Sequence, residues 1–231
     1  MKTVLITGAN RGIGLEHARR FAMQGIEVFA AVRDPEQAQE LQALARAHKG
    51  RLTIVRYDAA QADAPAQVKQ ALDGRPVDLL LANAGASGDR SQTLGSLDME
   101  DVLQLLRVNA LAPLKLAEVL SDNVAGSQRK LIAIQSSQLG SIGNNHSGGR
   151  YAYRISKAAL NMIARNLASD LGARGITVVA LHPGWVKTRM GGAEAPIEVA
   201  QSVLNQQRLL ERLTPADSGR FFNHDGTELP W

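Results

Sequence analysis

The sequence predicts an α/β fold of the doubly wound, Rossmann type: a mainly parallel seven-stranded sheet flanked by helices on both faces. Three observations predict it. Apolar strand-like runs alternate with amphipathic helical runs along almost all of the 231 residues. The strand-like runs are apolar on both faces, as buried parallel strands are. A glycine cluster joins the first strand to the first helix, where such folds turn tightly.

In chain order, the strands are expected at Lys2–Thr7, Glu27–Val32, Arg51–Tyr57, Val77–Ala82, Lys130–Gln135 and Thr177–Leu181, with a short last one at Arg220–Asn223. The helices are expected at Gly12–Gln24, Pro35–His48, Ala64–Leu72, Met99–Val119, Tyr151–Gly172 and Ile197–Arg212. Asp34, Pro35 and Gln37 read as an N-cap, a first-turn proline and a capping-box partner. Pro113 beside Asn109 predicts a kink in the fourth helix. Gly140–Gly149 is a loop, and Pro183-Gly184 ends the sixth strand. Residues 1–231 therefore form one domain, with no repeat or linker.

Composition excludes several classes. There is no cysteine, so no disulfide scaffold, thiol nucleophile or cysteine metal site exists, and a reducing, cytoplasmic setting is expected. No histidine, aspartate and glutamate cluster has metal-ligand spacing. The N-terminus shows no secretory-signal pattern, and no apolar run is long enough to span a membrane. The net charge of +4 is modest and scattered, which argues against nucleic acid as a partner.

Two ends of the predicted sheet carry chemistry. After the first strand, Gly8, Asn10, Arg11, Gly12, Ile13 and Gly14 form a G-x3-G-x-G turn leading into a helix. Such a turn lets the chain approach a bulky anion, and the helix N-terminus offers free amides to a pyrophosphate. At the tip of the second strand, an acid would bond the ribose of NAD and an arginine the 2′-phosphate of NADP. Val32 and Arg33 occupy that tip, Asp34 is displaced, and Arg11 is a second cation. The reading is NADP(H) preferred, with NAD(H) as the alternative. Asp58 ends the third strand and is a candidate acceptor for the adenine amino group. Asn83, Ala84 and Gly85 end the fourth, Asn83 holding neighbouring strand ends and Gly85 allowing close approach. After the sixth strand, Pro183, Gly184 and Val186 face the nicotinamide end, Thr188 can reach the cofactor's phosphates, and Arg189–Thr214 is a candidate lid.

The catalytic candidates are Tyr153, Lys157, Ser137 and Asn109. Residues four apart on a helix share a face, so Tyr153 and Lys157 point into one cleft. A phenol has a reference pKa of about 10, and a nearby cation favours its ionised form. That equips Tyr153 to exchange a proton with a carbonyl oxygen. Ser137 is a second donor to that oxygen, and Asn109 is expected to kink its helix and hold a water behind Lys157. Tyr151, with no lysine four residues on, reads as packing or substrate-wall material, and His146 as surface loop.

These residues resemble the short-chain dehydrogenase/reductase family over essentially the whole length. Within it, Ser136–Ser141, Tyr151–Asn161, Pro183–Thr188 and the tail Phe221–Trp231 are similar to C-factor-like and sniffer-like carbonyl reductases. The resemblance implies a tetrad of Asn109, Ser137, Tyr153 and Lys157, transfer from the B-face of the nicotinamide, a small carbonyl or alcohol substrate, and a homodimer. Two features depart from the family pattern: Ala82 replaces the first asparagine of Asn-Asn-Ala-Gly, and the stretch between Ser137 and Tyr153 is longer than usual. Two rival readings are a cofactor-binding signalling protein with little turnover and an NAD-dependent alcohol dehydrogenase.

Overall fold

A computed structural model describes all residues, Met1–Trp231. Its centre is one seven-stranded sheet, β1 (Thr3–Thr7), β2 (Glu27–Val32), β3 (Leu52–Arg56), β4 (Leu79–Ala82), β5 (Leu131–Gln135), β6 (Thr177–His182) and β7 (Phe221–Asn223). The order is β3-β2-β1-β4-β5-β6-β7. Every pairing between neighbouring strands is parallel, so the sheet is wholly rather than mainly parallel. The order reverses direction between β1 and β4, which opens a crevice at the carboxyl ends of these strands.

The helices are α1 (Gly12–Met23), α2 (Gln39–Ala47), α3 (Ala64–Leu72), α4 (Met99–Leu106), α5 (Ala112–Ala125), α6 (Tyr151–Leu171) and α7 (Val199–Arg212). Alternate strand residues feed two separate cores. Leu5, Phe29 and Leu80 pack with Leu116, Leu120 and Leu160 on the α5–α6 face. Val4, Ile6, Val28 and Leu79 pack with Phe21, Leu41 and Leu210 on the α1–α2–α7 face. The period of two in each strand explains the division. No helix is long and apolar enough to cross a membrane.

Three expected elements differ. The Pro35–His48 helix is a single turn, Pro35–Gln37, then a break at Ala38 (φ −86°, ψ 60°) before α2. Asp34 does not cap it. Its carboxylate instead accepts from Arg33 Nε at 3.0 Å, because the nearer cation competes for it. The Met99–Val119 helix is divided by a π-turn, Arg107–Leu111, and continues to Ala125. The extra residue of the π-turn falls around Asn109, whose amide bonds outside its own helix; such insertions bend helices. Finally, α7 is no lid. Val203, Leu209 and Leu210 are buried, and Ser202 Oγ donates to the Pro183 carbonyl at 2.6 Å. Only the turn before α7 remains at the crevice mouth.

Candidate active site

The glycine loop follows β1 directly. Gly8 and Gly12 lie in the left-handed region, with φ of +67° and +53°. A Cβ on Gly14 would stand 2.3 Å from the Gly8 carbonyl oxygen and 2.7 Å from Asn83 Nδ2, so α1 can start this close to β4 only with glycine there. Asn83 seals the junction. Its Nδ2 donates to the Thr7 and Gly8 carbonyls at 2.9 and 3.3 Å, while its own amide N–H reaches Thr7 Oγ1. Ala84 N also donates to Thr7 Oγ1 at 3.0 Å. The expected role of Asn83 as a tie between strand ends is what these bonds describe.

These residues fit a dinucleotide. The N-terminus of α1 has no side-chain cap and no acid in its first turn, so its amides and partial positive charge are free for an anion. A Cβ on Gly12 would meet Thr188 Cγ2 at 3.4 Å, so the glycine keeps open the gap between the loop and the β6 end. Arg11 is exposed and Asn10 half-buried beside it. Arg11, Arg33 and Arg189 are close enough to act on one another: burial first, then the charges of Arg189 and Arg33, lower the Arg11 pKa. Arg189 was not singled out in the sequence. Asp58 lies near Arg33, and its Oδ1 accepts from Ala60 N at 3.0 Å.

On the other side of the crevice, α6 presents Tyr153 and Lys157 beside Ser137 at the end of β5. Ser137 Oγ accepts from Leu139 N at 3.2 Å, which fixes the oxygen and leaves the hydroxyl proton to donate elsewhere. Ser137 lies beside the Tyr153 phenol in the same cleft and counters the rise of its pKa. Lys157 Nζ sits 5.8 Å from the Tyr153 ring centre and donates to the Gln135 carbonyl at 2.9 Å. Asn109 Oδ1 accepts from Ala86 N at 2.8 Å, and its Nδ2 donates to Ala86 O at 2.9 Å and Ser156 Oγ at 3.0 Å. Ser156 Oγ in turn donates to the Tyr153 carbonyl at 2.8 Å. The Asn109 side chain thus clamps the segment after β4 to the helix turn that carries Tyr153. Gly85 lies against this clamp, since a Cβ there would meet Asn109 Oδ1 at 3.2 Å.

A cleft of about 310 Å³ joins the two halves. Ser137 and Tyr153 line it together with Ile13, Pro183, Gly184, Val186 and Thr188. Thr188 Oγ1 accepts from Gly191 N at 2.9 Å, and Trp185 Nε1 donates to Gly191 O at 2.8 Å, so the Gly191-Gly192-Ala193 turn is tied down. Tyr151 faces a different hollow, of about 200 Å³, on the outer side of α6, and His146 is exposed. The electrostatics depart from expectation. Burial pushes the Tyr153 pKa up, opposed by Ser137 and by the charges of Arg150 and Arg90. Those arginines join Lys157, whose Nζ is 5.8 Å from the ring centre, as cations around the phenol. Burial also lowers Lys157 to about 8. Arg150 and Arg90 line the cleft, and neither was foreseen.

The family model of the short chain dehydrogenases matches residues 2–197. The chain belongs to that family. Among the relatives of this short chain dehydrogenase is the C-signal of Myxococcus xanthus, 43% identical over 68% of this chain and 93% of that protein. Among solved structures, the carbonyl reductase Sniffer of D. melanogaster superposes with a TM-score of 0.92 at 35% identity, covering 100% of both chains. The NADPH-bound carbonyl reductase from chicken fatty liver gives a TM-score of 0.92 at 35% identity, over 100% of this chain and 99% of that one. A short chain dehydrogenase of this shape is an oxidoreductase, as the sequence resemblance implied.

Proposed function

We propose that the protein is an NADPH-preferring carbonyl reductase, interconverting a small carbonyl compound and its alcohol. The single observation that carries this reading is the shared cleft: Ser137 and Tyr153 face the same space as Ile13 of the glycine loop and the residues after β6. The likeness to the NADPH-bound reductase from chicken supports the cofactor choice.

When bound, the dinucleotide supplies the hydride that reaches the carbonyl carbon. Gly8, Asn10, Gly12, Ile13 and Gly14 would hold its pyrophosphate side, Arg11 and Arg33 its 2′-phosphate, Asp58 its adenine, and Ala84, Gly85, Pro183, Gly184, Val186 and Thr188 its nicotinamide half. Tyr153 gives its phenolic proton to the carbonyl oxygen as charge builds there. Its raised pKa keeps the phenol protonated at neutral pH, which suits the reducing direction. Ser137 donates a second hydrogen bond to the same oxygen. Lys157, still mostly charged at pH 7 with a pKa of about 8, steadies the phenolate left behind and can bond the ribose. Asn109 is a positioning residue that sets the turn carrying Tyr153 through Ser156. Water then returns a proton to Tyr153.

Oxidation of NADPH and NADH against a panel of quinones, aldehydes and ketones tests the reading. Faster turnover with NADPH is expected. Arg33→Ala should raise KM for NADPH by about tenfold and leave NADH nearly unmoved, the effect of one exposed charge-assisted contact of about 1.4 kcal/mol. An unchanged NADPH KM in that variant removes Arg33 from the phosphate site. The signalling alternative predicts cofactor binding with no turnover on any carbonyl. A homodimer in the cytoplasm completes the proposal. Met99, Leu103 and Met162 stand exposed at 59%, 52% and 62% on α4 and α6, apolar surface that a second copy would cover. Sedimentation at micromolar protein should give twice the 24.8 kDa chain mass; a monomer mass refutes it.

A further inference from the structure

The cleft beside Tyr153 is electrostatically one-sided. No aspartate or glutamate lines it, and its only lysine or arginine side chains are Arg90 and Arg150. Arg150 Cζ lies 5.2 Å from the centre of the Tyr153 ring. Arg90 reaches across the mouth and donates to the Met190 carbonyl, joining the loop after β4 to the turn before α7. That bond uses one nitrogen of its guanidinium and leaves the other donors free. Neither arginine has a carboxylate within ion-pair distance, although ten such pairs form elsewhere in the chain. Arg154, next in line, is already committed to Gly148 O, Leu139 O and Ser147 Oγ.

The backbone goes out of its way to place Arg150. Gly148, Gly149 and Arg150 are three successive residues with positive φ, at +62°, +66° and +49°. A left-handed conformation is ordinary for glycine and strained for arginine, and strain of this kind gathers where a side chain must be aimed. Arg150 is the residue immediately before α6, so this geometry brings its guanidinium back over the ring three residues on. The result is two like charges that repel each other in a half-enclosed space. Consistent with that, burial and the Arg90 charge lower the Arg150 pKa. An anion placed between them would relieve the repulsion and satisfy the free donors, and a planar guanidinium pairs with a carboxylate through two parallel hydrogen bonds.

We propose that Arg90 and Arg150 are specificity residues and that the preferred substrate is a carbonyl compound bearing a carboxylate a few bonds from the carbonyl carbon. The inference rests on the reductase reading above and names its substrate class. The neutral quinones and ketones of a general panel would then be poor substrates, reduced only because Tyr153 and Ser137 act on any carbonyl that enters.

The test uses the three isomers of carboxybenzaldehyde and their methyl esters with full-length protein and NADPH. The ester matches the acid in shape and lacks the charge, and the isomers vary the reach. For at least one isomer, the acid-to-ester ratio of kcat/KM should be tenfold or more at low salt, carried mainly by KM, and should fall as salt screens the charges. Arg150→Met and Arg90→Met should each lower that ratio by about tenfold, and Arg150→Lys should keep part of it. Comparing ratios between parent and variant cancels the intrinsic difference in carbonyl reactivity. A binding measurement runs beside it: quenching of Trp185, which lines the same cleft, by acid or ester in the presence of NADP+, where no reduction can occur. The acid should bind about tenfold more tightly, and Arg150→Met should erase the difference. Esters reduced as well as acids, with ratios unmoved in both methionine variants, overturn the anion site and leave the reductase reading standing. If neither acid nor ester is reduced, the panel of quinones, aldehydes and ketones decides the reductase reading, and the fluorescence arm decides the anion site: equal affinity for acid and ester overturns it.

Discussion

Tyr153→Phe is expected to lower kcat for carbonyl reduction by about 10²- to 10⁴-fold, with little change in KM. That range is the usual contribution of a positioned proton donor and corresponds to about 3–5 kcal/mol of barrier. The physical reason is local. Hydride arrival puts negative charge on the carbonyl oxygen, and Tyr153 and Ser137 both line the cleft with a hydroxyl to donate to it. Phenylalanine keeps the ring that packs under Arg150 and removes only the hydroxyl, so the fold should hold and thermal melting should not shift by more than a few degrees. Steady-state kinetics beside a melting curve check both halves. A variant as fast as the parent would take the phenol out of the chemistry.

The second large effect is on stability. His17 is wholly buried between α1 and α7, stacked on Phe21 at 5.9 Å between ring centres. Burial lowers its pKa to about 4. His182, at the end of β6, is also lowered to about 4, by burial and then by the charge of His224. The unfolded chain titrates histidine near the ordinary value of about 6.5. Above that pH both states hold neutral imidazoles and nothing is lost. Between about 6.5 and 4 the unfolded state takes up protons that the folded state refuses, so stability falls as pH falls, and it levels off below 4. Each histidine accounts for about 3 kcal/mol over the whole window, at one pKa unit per 1.36 kcal/mol. Carboxylates held low in the folded state, such as Asp78, lose their contribution only at more acid pH. Urea unfolding at pH 7.5 and 4.5 should show the loss, and His17→Phe, which keeps an aromatic ring against Phe21 and has no proton to take up, should remove about half of it. An identical pH dependence in that variant would contradict the assignment.

The sheet was legible because each strand is an apolar run wherever it is covered on both faces, and the glycine loop because its spacing exceeds what a plain turn requires. Tyr153, Lys157 and Ser137 were legible for a similar local reason: the helical interval of four, and a serine pair at a strand end. What escaped depends on distant partners. The π-turn at Arg107–Leu111 goes with the bonds of Asn109 to Ala86, twenty-three residues away. The helix break at Ala38 and the pairing of Asp34 with Arg33 follow from a choice among neighbours that spacing alone leaves open. Arg90 and Arg189 sit in loops whose charges read as solvated until the chain brings them to the crevice. Arg150 left a faint trace, since it precedes Tyr153 by three residues and could share its face of the helix. The trace was weak because a helix boundary was expected there, not a left-handed residue.

The central claim is that hydride and proton meet on one carbonyl held between Tyr153, Ser137 and the cofactor crevice. The most direct measurement is the fate of deuterium from NADPH labelled on either face of the nicotinamide, read by mass spectrometry of the alcohol. The expected result is label on the former carbonyl carbon from the B-face cofactor and none from the A-face cofactor. Alcohol that carries no deuterium from either cofactor, or label that washes into solvent, would contradict the account.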